Sequence, residues 1–251
     1  MKKSYLLSLV VATILFTGCG GTNSGTTDAS TDSNTFTVER GPILGAQLAD
    51  ANGTLARELG NGQYIFDQAV EYPVISTGGY IDVNRNGTVD AGEVKNTLHL
   101  ETTEGNVVTL ATTLSSNTII KTFLVNDLGI NEGALKNKLP GNDHTIEALS
   151  DAVFKYVMEN DINNTLELSQ DDLTQIQSAY RTRYNNYVQD GLKAAEHEAD
   201  LINSMSIVTL DNAEAEAAEI ELKQGRDADQ NSTKHLDPIQ QETLTDINTS
   251  R

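Results

Sequence analysis

Residues 82–93 read DVNRNGTVDAGE, and no other stretch constrains the chain as tightly, because its residue types fall at spacings that one chemistry requires. Asp82, Asn84 and Asn86 set short oxygen-bearing side chains at the first, third and fifth positions, and Gly87 allows the sharp turn at the sixth. Thr88 offers its backbone carbonyl at the seventh position, Asp90 stands at the ninth, where a ligand often acts through water, and Glu93 closes the loop with a carboxylate able to bind through both oxygens. An all-oxygen set suits Ca2+, and Val89 supplies the apolar residue that such a loop buries beneath the ion. The same residues also permit a run of Asx-turns, with Asn86 and Gly87 in a tight turn and no ion.

The N-terminus reads as an export signal. Lys2 and Lys3 precede the apolar run 6–16, which is too short to cross a bilayer as a stable helix. The residues LFTGC at 15–19 resemble the lipobox of bacterial lipoproteins, with Phe16 in place of the usual Leu. The resemblance implies cleavage after residue 18, acylation of Cys19 by chains such as palmitate, and a membrane anchor at the new N-terminus. Two acyl chains anchor stably where one does so only marginally. Gly20 after the cysteine favours the outer membrane under the sorting rule of enteric bacteria. Cys19 is the single cysteine, so no internal disulfide can hold the exported part.

The formal charge is −19, and loss of Lys2 and Lys3 with the signal makes it more negative still. Such a chain repels nucleic acid and anionic lipid and suits cations or cationic partners. Residues 19–35 are Gly, Ser, Thr, Asn and Asp with little apolar content, as in a flexible tether. Residues 209–251 are acidic, then polar, and are expected to be mostly disordered, with a short helix over 213–223.

Between these ends the chain changes character once. Short strand-like runs occupy 35–38, 43–49, 54–59, 63–66, 72–76, 96–101 and 107–111, with turn signals at 50–53 (DANG) and 60–62 (GNG). This predicts a small antiparallel β-sandwich over 36–114. GPILGAQLADANG at 41–53 followed by GNGQYIF at 60–66 resembles the transthyretin-like or carboxypeptidase-regulatory-like sandwiches of surface proteins. That resemblance implies a seven-stranded module for presentation, or for contact with carbohydrate or protein, and no catalysis. Residues 82–93 resemble the EF-hand in ligand spacing, yet Pro73, Gly78 and Gly79 before them and the alternating run after them are flanks of strand type, not helices. The expectation is therefore a structural ion pinning a strand-to-strand connection instead of a sensor that opens.

Residues 115–208 carry helical periodicity. Helices are expected over 117–128, 132–139 and 145–160, the last with its N-cap at Thr145, and over a long stretch from a cap at Ser169 to Met205 that Gly191 bends. Tyr180, Tyr184 and Tyr187 read as core residues of that helix. Residues 161–172 echo the first loop at Asp161, Asn163, Thr165, Ser169 and Asp172, but Leu166 replaces the turn glycine and Asp172 is shorter than Glu, so a plain connection is expected. The histidines 99, 144, 197 and 235 have no ligand spacing, Glu196, His197 and Glu198 read as a solvated helix face, and no nucleophile or phosphate-loop motif occurs.

The whole reads as an α+β chain, an N-terminal sandwich with a calcium loop followed by a helical part and a mobile acidic tail. The function expected is a calcium-binding envelope lipoprotein with no catalytic role. The competing reading is an adhesin-like module that binds an envelope protein or a glycan, in which calcium is only structural.

Overall fold

The computed structural model describes residues 34–232 apart from residue 163. The export signal of 1–18, the acylation site at Cys19, nearly all of the tether and the end of the tail lie outside the described residues.

The strand half is built on β1 (Thr35–Glu39), whose five residues are all buried. The short strands that follow are β2 (Ile43–Leu44), β3 (Gln47–Ala49), β4 (Arg57–Gly60), β5 (Gln63–Ile65), β6 (Val74–Thr77), β7 (Tyr80–Ile81), β8 (Val94–Lys95), β9 (Leu100–Thr102) and β10 (Val107–Thr109). They form one four-stranded sheet in the order β10-β1-β5-β4 and two three-stranded sheets, β2-β7-β8 and β3-β6-β9. The chain is thus a mixed α+β protein, with several small sheets in place of a uniformly antiparallel pair, because β10 returns alongside β1 in parallel.

Two local causes set this topology. The run expected over 43–49 is split between two sheets: at Gly45 the backbone turns to φ 67°, and the Tyr64 hydroxyl takes the place of a ladder partner, donating to the Ile43 carbonyl at 2.8 Å and accepting from the Ala46 amide at 2.9 Å. The strand expected over 107–111 stops at Thr109. That residue caps the first helix in a capping box, its hydroxyl accepting from the Thr112 amide while the Thr112 hydroxyl accepts from the Thr109 amide.

The helices are α1 (Leu110–Ser116), α2 (Thr118–Asn126), α3 (Glu132–Asn137), α4 (His144–Glu159), α5 (Gln170–Asp190), α6 (Ala194–Asn203) and α7 (Asn212–Ser232). Asp143, two residues before the expected cap at Thr145, caps α4 through the amides of Thr145 and Ile146, since its carboxylate reaches both. Gly191 at φ 78° ends α5 outright, so the long bent helix is two helices. Tyr180 and Tyr187 are buried as expected, but Tyr184 is exposed. From 212 onward the chain forms a 21-residue helix where a short one in a disordered tail was expected. It is held because Ala218 packs with Leu44 and Val89, flanked by Tyr80, Leu210 and Leu222.

One continuous apolar core runs from Phe36, Val38 and Tyr64 in the sheets through Leu110 and Leu114 to Leu149, Phe154, Ile176 and Leu201 in the helices. α1 is the joint, packing on β9 and β10 on one side and on α2, α3 and α4 on the other.

Candidate metal centre

Residues 82–93 connect β7 to β8, which pair antiparallel at Ile81 with Val94. The loop is therefore the tip of a hairpin, as its flanks suggested. Its two end carboxylates form a buried floor, Asp82 and Glu93 each being 1% exposed, while Asn84, Asn86 and Thr88 face solvent.

The backbone winds round Asp82. Its Oδ1 accepts the Asn86 amide at 3.0 Å and its Oδ2 the Gly87 amide at 2.7 Å. Gly87 sits at φ 79°, a conformation that disfavours any side chain, and a Cβ there would also push Asn61 Oδ1 aside from 2.3 Å. Asn84 Oδ1 accepts the Asn86 amide at 3.0 Å, and Asn86 Oδ1 accepts the Thr88 amide at 2.8 Å. These are the Asx-turns of the simpler reading, present within the same loop.

Three carboxylates, Asp82, Asp90 and Glu93, lie near enough to feel one another's charge. Asp90 Oδ2 accepts from the side-chain amides of Asn84, at 3.2 Å, and Asn86, and these hydrogen bonds hold the Asp90 carboxyl below its usual range. Glu93 Oε2 accepts the Asp90 amide at 3.2 Å, and its Oε1 is buried with no hydrogen-bond partner. Burial, reinforced by the charges of Asp82 and Asp90, pushes the Glu93 carboxyl up to about 8 against the pull of the Asp90 and Val83 backbone amides. Burial also raises Asp82, against the pull of the amides it accepts. The donor set of two amides, a hydroxyl residue with its carbonyl, and three carboxylates is all oxygen once Asn84 and Asn86 present Oδ1 to the centre, which is the chemistry of a hard cation. Among the described residues, no group of three or more His, Cys, Asp or Glu side chains is gathered closely enough to hold an ion alone.

Arg85, fourth in the loop, adopts φ 57° and points away from the loop's oxygen donors toward Glu39 and Glu198. Its Nη1 bonds Glu39 Oε1 at 2.8 Å, and its Nη2 lies 3.7 Å from Glu198 Oε2. Arg40 continues this buried network, bonding Asp151 at 2.7 Å, lying 3.4 Å from Glu198 and stacking over Phe154 at 4.8 Å. Burial works against the charge of each arginine, but the facing carboxylates outweigh it and hold both pKa values above the ordinary one. Asp151 also accepts from the Tyr187 hydroxyl and lies 3.6 Å from Arg183. Glu147 is fully buried with neither oxygen hydrogen-bonded, and burial followed by the neighbouring Asp151 raises its pKa strongly. Burial likewise raises Glu198, to about 7, against the pull of Arg40 and Arg85. Glu198 is thus an interior residue and not part of a solvated face. It points inward because Gly41, where a Cβ would meet its carboxylate at 2.3 Å, donates its amide to Glu198 Oε1 at 2.9 Å. His197 stacks on Tyr187 with ring centroids 4.4 Å apart.

No protein-family model, curated protein or solved structure matches this chain.

The second stretch, 161–172, uses its polar side chains to build helices. Asn164 caps a short 3-10 turn at Thr165–Glu167, and Ser169 and Asp172 form a capping box on α5. The second oxygen of Asp172 accepts from the Tyr156 hydroxyl at 2.6 Å. Residue 163 lies outside the described residues. Sequence reasoning missed the Arg40 and Arg85 network. Its one visible signal was Glu147 and Asp151, four residues apart beside the apolar stripe of α4, where two acids have no reason to sit unless something cationic faces them.

Proposed function

We propose that the chain is a calcium-binding lipoprotein of the bacterial envelope, anchored by acylated Cys19, most simply in the outer membrane, with a structural ion and no catalytic step. The observation that carries the calcium reading is Glu93 Oε1, a buried carboxylate oxygen without a partner, at the position where a twelve-residue loop needs its bidentate ligand. An isolated buried charge is strongly disfavoured, and a divalent ion among Asp82, Asp90 and Glu93 removes that penalty. Asn84, Asn86 and the Thr88 carbonyl complete the set, with the two amides turning their oxygens inward. The ion pins the hairpin tip between β7 and β8, and Arg85 ties the same tip to Glu39 and Glu198. Thermal melting tests this: millimolar calcium should raise the melting temperature over that in EDTA, and identical melts would end the reading. Replacing Cys19 by Ser should abolish fatty-acid labelling and release the protein from membranes.

The adhesin-like alternative has one observation in its favour. Tyr184 is exposed and stacks on Tyr180 at 5.9 Å, beside an open cleft of about 390 Å³ lined also by Thr145, Arg181 and Asn185. An aromatic face beside polar side chains suits a sugar ring. Binding on a glycan array that is lost in Tyr184→Ala would favour it.

A further inference from the structure

The loop at 82–93 lacks the two helices that ordinarily brace such a loop, being flanked by strands of two residues each. What braces it comes from the far end of the chain. The Leu210 amide donates to the Glu93 carbonyl at 2.8 Å, and the Gly92 amide donates to the Leu210 carbonyl at 2.9 Å, so residue 210 clamps the backbone of the closing ligand. About two turns into α7, Glu219 Oε2 accepts the Val89 amide at 2.9 Å, fixing the position between Thr88 and Asp90. Arg226 holds Glu219 in place at 3.0 Å. Beneath these bonds lies a small apolar cluster of Leu44, Val89 and Ala218, separate from the main core. Three backbone groups in the second half of the loop are therefore set by residues 210–219, and α7 also packs along β4, with Leu222 against Gly45.

We infer that α7 and its lead-in are the bracing half of the cation site, with Glu219 and Leu210 as positioning residues, and that the cation in turn clamps α7. This rests on reading 82–93 as a cation loop. Because coupling between two equilibria is reciprocal, whatever factor α7 docking adds to cation affinity, the cation adds to α7 docking. When calcium is withdrawn, α7 lifts off and uncovers Leu44, Tyr80 and Val89. Glu219 touches no ion; it acts through the Val89 amide.

The test uses the full chain, calcium alone as the probe, and two variants. Glu219→Ala removes the acceptor, and Glu221→Gln makes the same change of charge at an exposed position of the same helix without a bond to the loop. By the usual worth of a charge-assisted hydrogen bond, Glu219→Ala should weaken calcium binding by about tenfold, and Glu221→Gln should leave it within about twofold. In the wild type, calcium should slow hydrogen exchange in the amides of 212–228. In Glu219→Ala that slowing should shrink by the same factor as the affinity, a match that general destabilisation would not produce. A wild type that binds calcium while Glu219→Ala binds it equally well, or while α7 exchanges at one rate with and without calcium, overturns the role of α7 and leaves the site standing. A wild type that takes up no calcium overturns both.

Discussion

Glu198 stands where no water reaches, between Arg40 and Arg85, with Asp151, Glu147 and Glu39 also facing it and Arg183 and Tyr187 bonded to Asp151 beyond. Its carboxyl titrates near 7 in the folded state against 4.5 for an ordinary glutamate, so the folded protein keeps a proton that the unfolded chain releases. The sign follows: this stabilisation is full below the ordinary carboxyl pKa and is lost as pH rises toward 7, an effect on the order of 3 kcal/mol at most. Urea unfolding should show the wild type less stable at about pH 8 than at about pH 5, and Glu198→Gln, which still accepts from Gly41, should show a smaller fall. An unchanged slope in the variant would mean that other groups carry the effect, Glu147 first. At this scale the residues proposed as ligands could be read from the sequence because a cation would dictate their spacing along the chain. The network of Glu198 with Arg40 and Arg85 was not, since its members are brought together only by the packing of β1, the loop, α4 and α6.

Asn117 shows how a single side chain joins elements. Its Oδ1 caps α2 through the Ile119 and Ile120 amides, and its Nδ2 donates to the Leu166 carbonyl at 2.9 Å, tying the α1–α2 junction to the segment before α5. Asn117→Ala should cost about 1–3 kcal/mol, the loss of a cap plus a part-buried hydrogen bond, read as a lower urea midpoint. A loss much below that would show that the Leu166 contact contributes nothing. Helix positions could be read from such caps and from apolar periodicity, as at Ser169 and in the stripe Ile146, Leu149, Val153 of α4. What failed was the fate of elements whose cause lies elsewhere in the fold. The division of 43–49 depends on the Tyr64 hydroxyl, and the helix beyond 212 depends on Leu44 and Val89 as its footing.

Across the whole molecule, strands and helices share one core, and α1 carries Leu110, Ala111 and Leu114 into it from the junction. A fragment ending at residue 114 should therefore melt without a cooperative transition, whereas the intact chain unfolds in one. A sharp melt of the fragment alone would show that the strand half is an independent domain. The loop at 82–93 sits where this molecule is tied together: its floor is Asp82 and Glu93, Arg85 reaches from it into the buried charges, and Leu210 and Glu219 reach to it from the C-terminal end. The most direct test of its role as a cation site is isothermal titration of the purified chain with calcium. A dissociation constant of about 10⁻⁴–10⁻³ M is expected, as in extracellular modules, lost in Glu93→Ala and retained in Asp161→Ala. Absence of heat at millimolar calcium, or equal loss in the two variants, would contradict it.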